Sequence, residues 1–184
     1  MVGLVVGAVL LSGCAAKEKA STSLPAPTST AAPTTATLPP MGPPDFPVPA
    51  AARTKDAAGA EAFMRYWINL LNRQQSIPAG KPVRDLGPHC SECLRIARNF
   101  DTVAAAGHRY VGGELTVNDL PPAELQDEEA TVNFAVRREA VQIVDGLGTV
   151  VDTGAPLAGN EIGGGILEWS AGLRGWLVQG FQIG

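Results

Sequence analysis

Cys90 and Cys93 stand in the run His89-Cys90-Ser91-Glu92-Cys93, and a Cys-x-x-Cys spacing supports three chemistries. The two sulfurs can close a short structural disulfide, which chain-entropy arithmetic values at about 2 kcal/mol for so small a loop. They can act as a redox pair, because a thiol at a helix start beside a histidine ionises more readily. Against that use, a long helix precedes the motif, whereas thioredoxin-like sites follow a strand. They can also hold a metal, but a structural zinc needs four ligands. The chain's other soft donors are His89 and His108. Adjacent His89 and Cys90 are poorly placed to chelate one ion, so no metal site is expected.

Two expected helices position this motif. From Thr54 to Gln75, the residues Ala60, Phe63, Met64, Trp67, Leu70 and Leu71 recur at helical spacing on one face. Thr54 is the expected N-cap and Ile77-Pro78-Ala79-Gly80 the stop. A short helical turn is expected over Pro82–Leu86. A second long helix is expected from Cys90 to Ala106, ended by Gly107, with Cys93, Ile96, Ala97, Phe100, Val103 and Ala104 on its apolar face. Beyond His108 the pattern turns to strands: Tyr110–Asn118, a break at Pro121-Pro122, then Thr131–Val144. Val132, Phe134 and Val136 share one parity, while Val141 and Ile143 share the other. A bend or bulge is therefore expected at Arg137-Arg138-Glu139. Asp145-Gly146-Leu147-Gly148 reads as a hairpin turn leading to Thr149–Asp152. Residues 154–165 read as a glycine-rich loop. Gly163–Gly165 lack the strand–loop–helix context of a phosphate loop, so they are expected to be flexible hairpin material. Ile166–Leu173 and Trp176–Ile183 form the closing hairpin through Arg174-Gly175. Helices followed by antiparallel strands make residues 53–184 a single α+β domain.

Upstream, Val2–Leu11 is an apolar run of signal-peptide length. At about 1.5 Å per helical residue it falls short of a hydrocarbon core roughly 30 Å thick. It ends in Leu11-Ser12-Gly13-Cys14, which resembles the lipobox of bacterial lipoprotein precursors. The resemblance implies cleavage after residue 13 and lipid on the Cys14 sulfur. The membrane is then a partner, and the outer face of the cell membrane the location. No Lys or Arg precedes the run, so an upstream start supplying the basic n-region is expected. Residues 14–52 are dominated by Pro, Ala, Ser and Thr and are expected to be a disordered tether. It would span about 35 Å as a coil and about 115 Å extended. In that oxidising compartment, with Cys14 taken by lipid, Cys90 and Cys93 are expected to pair. A thiol oxidoreductase remains the alternative use of the pair.

The order of elements and the closing Gly175-Trp176-Leu177-Val178 resemble the nuclear transport factor 2-like (cystatin-like, SnoaL-like) cone, in which helices pack on a bent antiparallel sheet. More narrowly, Glu61-Ala62-Phe63-Met64-Arg65-Tyr66-Trp67, the cysteine pair and the closing strand are similar to an actinobacterial lipoprotein family of unknown function. That family brings no catalytic residues. The wider superfamily includes isomerases and dehydratases with polar residues inside the cone. This likeness implies Tyr66, Tyr110, Arg137, Glu139 and Glu168 as pocket candidates, with Trp67 as wall. No spacing forces two of them together into an acid–base pair. The expected function is a non-catalytic binding or interaction module taking an envelope protein or a small apolar ligand; a cone-pocket isomerase or dehydratase is the alternative. No cofactor is expected. A formal net charge of −4 without a basic stripe argues against nucleic acid.

Overall fold

A computed structural model of the chain describes residues 38–184, apart from positions 155 and 157 and the side chain of Ala158. The expected signal run, Cys14 and the expected tether up to residue 37 lie outside these residues.

Helix α1 runs over Ala57–Ser76, capped by Asp56, whose Oδ1 accepts from the Gly59 N–H at 2.6 Å. Thr54, the expected cap, instead donates to Asp56 Oδ1 at 3.0 Å and so braces the cap. Helix α2 (Lys81–Leu86) and helix α3 (Ser91–Ala105) follow. Helix α3 has Cys90 at its N-cap and Gly107 beyond its end at φ +69°, the left-handed turn that the sequence implies. Eight strands complete the chain: β1 Arg109–Gly112, β2 Leu115–Asp119, β3 Glu124–Gln126, β4 Glu129–Arg138, β5 Val141–Val144, β6 Val150–Thr153, β7 Ala158–Ser170 and β8 Gly175–Ile183. All pairings are antiparallel, and the fold is α+β. The larger sheet has the order β2-β4-β7-β8, with β3 also on β4; β1-β5-β6 form a smaller sheet. Strands β2 and β3 share one edge of β4, and Pro121-Pro122 falls in the gap between them, where a missing N–H interrupts the ladder.

The core lies between α1 and the larger sheet. Phe63, Met64, Trp67 and Leu70 are fully buried with Val132, Phe134 and Val136 of β4, Leu167 of β7, and Trp176 and Val178 of β8. Strand β4 ends at Arg138 and the chain enters the smaller sheet at Val141, so the expected parity flip marks a change of sheet. The stretch Tyr110–Asn118 is not one strand. Gly112 and Gly113 take φ +72° and +81° and pass the chain from β1 in one sheet to β2 in the other.

Two further expectations are corrected. Residues 159–165 are strand, not loop: Val132 faces Gly165 and Phe134 faces Gly163 across the β4–β7 ladder. A Cβ on Gly165 would stand 2.1 Å from Met64 Cε, and one on Gly163 would stand 2.3 Å from Phe134 Cε2. These glycines are bare so that core side chains can lie flat on β7.

The tether expected up to residue 52 is also corrected over its last part. Met41, Val48 and Ala52 are buried, and Ala50–Arg53 form a turn of 3-10 helix. Apolar residues scattered among the prolines therefore pack on α1 as a strap. Phe46 stacks on Tyr66 at 5.1 Å between ring centroids, and the Tyr66 hydroxyl donates to the Phe46 carbonyl at 2.8 Å. Arg53 closes the strap by donating to the carbonyls of Pro39 (2.7 Å), Leu173 and Arg174 (3.1 Å).

Burial pushes the Tyr66 hydroxyl from its ordinary 10 up to about 12, with nearby Arg73 pulling weakly the other way. The folded state then holds this proton after the unfolded chain has released it. The associated stability is complete below pH 10 and is lost as pH rises towards about 12. Two pH units correspond to about 2–3 kcal/mol. Urea unfolding of the native chain should show that alkaline decline in excess of Tyr66→Phe; parallel pH profiles would contradict the assignment.

Candidate functional site

A cleft of about 240 Å³ opens where the C-terminal end of α1, the middle of α3 and the ends of the strands meet. Helical spacing puts Glu92, Ile96, Asn99 and Phe100 on the turns of α3 that face it. Leu71 of α1, Leu115 of β2, Val141 of β5, and Phe181 and Ile183 of β8 supply the rest of the apolar wall. Tyr110 from β1 meets Phe100 edge-on at 5.6 Å, and burial raises its hydroxyl pKa. Helix α1 sets this geometry through two amides. Asn72 makes a reciprocal pair with the Leu115 backbone, 2.9 Å in each direction, and Gln75 donates to the Gly113 carbonyl at 2.7 Å. The Gly112 turn is tight against its neighbour, since a Cβ there would stand 2.1 Å from the Ala140 carbonyl oxygen.

The charges at the cleft are internally compensated. Arg138 Nη2 donates to Glu161 Oε1 at 2.7 Å, a pair that is mostly buried. Arg138 Nε and Glu161 Oε2 are buried without a protein partner. Arg95 binds both oxygens of Glu92, and this pairing holds the Glu92 carboxyl below its ordinary range. A neutral tyrosine beside two ion pairs offers hydrogen bonds and apolar contact.

The pocket candidates named from sequence do not converge. Tyr110 lines the cleft. Tyr66 is sealed under the strap, and Trp67 is wholly buried, edge-on to Phe181 at 5.9 Å. Arg137 and Glu139 pair with each other at 3.1 Å on the exposed side, and Glu168 takes a hydrogen bond from Gln179 there. The residues that matter instead are Arg138 and Glu161. The parity of Arg138 is legible, since it continues the inward series Val132, Phe134, Val136; Glu161 shares parity with buried Leu167 only because residues 159–165 are strand, which the sequence does not show. Arg137, one residue earlier, has to face outward.

The cysteine pair forms a disulfide, S–S 2.05 Å, with both residues buried. Cys90 Sγ also accepts from the Cys93 N–H at 3.1 Å, so one sulfur caps α3. Buried sulfurs present no face to a thiol substrate, which favours the structural use of the pair over the redox use. Cys90→Ser with Cys93→Ser should lower stability by about 2 kcal/mol, measured by denaturant unfolding. A loss several times larger would show that the bridge organises more than its own short loop.

Among the described residues, no helix is long and apolar enough to cross a membrane. No protein-family profile matches the chain. No curated protein matches it. Among solved structures it is similar to the intermembrane-space region of the chloroplast protein ARC6, at 14% identity and a TM-score of 0.49, over 71% of this chain and 97% of that one.

Proposed function

We propose that this chain is a lipid-anchored module on the outer face of the cell membrane, where its folded unit binds a small apolar ligand without transforming it. The observation that carries the binding reading is the cleft beside Tyr110. Its walls are apolar side chains from two helices, α1 and α3, and from strands β2, β5 and β8, and its arginines are already paired. Such a site gains affinity from buried apolar surface and orientation from a few hydrogen bonds. The anchoring reading is supported by Leu11-Ser12-Gly13-Cys14 and by a disulfide suited to an oxidising compartment.

Two measurements test the two halves. The uncharged fluorophore N-phenyl-1-naphthylamine should bind the full chain with enhanced emission. Ile96→Gln should weaken it about tenfold by exchanging an apolar wall residue for an amide. Equal binding by Ile96→Gln would remove the cleft as the site. Metabolic labelling with an alkyne fatty acid should mark the native chain and miss Cys14→Ser, which should leave the membrane fraction. Labelling that survives this substitution would refute the anchor.

A further inference from the structure

The outer face of the larger sheet carries a second depression, about 410 Å³, within the size range of small-ligand sites. Its floor is set by register. Asn133, Gly164 and Gln182 lie side by side across β4, β7 and β8; Thr131, Ile166 and Gly180 form the next row. The two amides thus stand on either side of a bare glycine, two strand spacings or about 10 Å apart.

Gly164 differs from its neighbours in the reason for being glycine. Side chains at 163 and 165 would collide with the core, but a Cβ on Gly164 would meet only Asn133 Oδ1 at 3.5 Å and Val132 O at 3.8 Å, which are ordinary contacts. Folding therefore does not require this glycine, and a glycine inside a strand weakens it. A glycine in such a position marks a place where a ligand or another backbone comes close.

The surrounding chemistry selects the ligand. Asn133, Gln182 and Thr131 offer uncharged donors and acceptors and, among the described residues, spend none of them on side-chain hydrogen bonds within the protein. The one charged side chain at the rim, Glu92, is bound by Arg95. Ile166 adds an exposed apolar surface beside the glycine. Neighbouring ring hydroxyls of a sugar are coplanar donor–acceptor pairs that match a carboxamide, and the C–H face of the ring suits an aliphatic side chain. An extended peptide would instead seek the free backbone of a sheet edge, and this trough is a sheet face. We propose that the trough binds an uncharged carbohydrate chain, with one ring seated on Gly164 between Asn133 and Gln182.

Saturation-transfer NMR on the full chain, with neutral trisaccharides of glucose, mannose, galactose, arabinose and N-acetylglucosamine, tests this. At least one should bind. Gly164→Leu, which fills the floor, and Asn133→Ala with Gln182→Ala, which removes the brackets, should each weaken it about tenfold or more. The thermal midpoint of Gly164→Leu should hold or rise. The proposal is overturned if no trisaccharide binds, if both variants bind like the native chain, or if Gly164→Leu lowers the midpoint. It also fails if Ile96→Gln in the other cleft removes sugar binding, or if a neutral tetrapeptide displaces the sugar.

Discussion

Trp67→Ala should cost the domain about 3–5 kcal/mol, enough to consume much of the stability of a typical unit of this size. The indole is fully buried between α1 and the sheet and meets Phe181 edge-on. Its removal forfeits the transfer free energy of one of the two largest side chains in the core and leaves a void that a rigid sheet cannot fill. Trp67→Phe sharpens the test. The indole N–H is buried without a partner, so phenylalanine loses volume but also removes an unsatisfied donor. It should recover most of the deficit, leaving a loss of about 1 kcal/mol. Denaturant unfolding followed by circular dichroism measures both. An alanine variant within about 1 kcal/mol of the native chain would show that Trp67 is not a keystone of packing.

The second large effect comes from β7. Gly163→Ala drives a methyl to 2.3 Å and 2.5 Å from two atoms of the Phe134 ring and 2.8 Å from the Gln182 carbonyl oxygen. Phe134 is pinned by its stack on Phe181 at 5.9 Å, and the carbonyl is backbone, so neither can yield cheaply. The expected loss is about 3 kcal/mol. The same substitution at Gly165 meets only the flexible tip of Met64 at close range and should cost under about 1 kcal/mol. At Gly164 it should gain about 0.5 kcal/mol. Three adjacent identical changes are thus expected to differ in size and in sign. A uniform response, read from thermal or denaturant midpoints, would contradict the packing described for this strand.

Those glycines also show where the sequence was opaque. Helix α3 was readable because its apolar residues repeat at one period, a polar first turn precedes them and Gly107 follows. The bend after β4 was readable because parity is a local property. Whether Gly163–Gly165 form a loop or a strand is not local: it depends on Phe134, some 30 residues away, and on Met64, a hundred away. The strap was hidden for a similar reason. Met41, Phe46 and Val48 follow no period, and only the exposed flank of α1 gives them something to cover. At the candidate site, Tyr110, Arg137 and Glu139 are all implied by the likeness, but Tyr110 lines the cleft while Arg137 and Glu139 pair on the exposed side. The period-two alternation of β4 points Arg138, not Arg137, into the cleft.

The clasp at Arg53 has a mechanical consequence. Any pull applied to the chain upstream of Pro39 meets the strap before it meets α1. It must break the hydrogen bonds from one guanidinium to the carbonyls of Pro39, Leu173 and Arg174 and lift Met41 from its seat against Gly175. Tension would therefore be shared with the β7–β8 turn at the far end of the sequence, so the strap works as a strain relief that keeps a pull on the chain from reaching the helix that walls the cleft beside Tyr110.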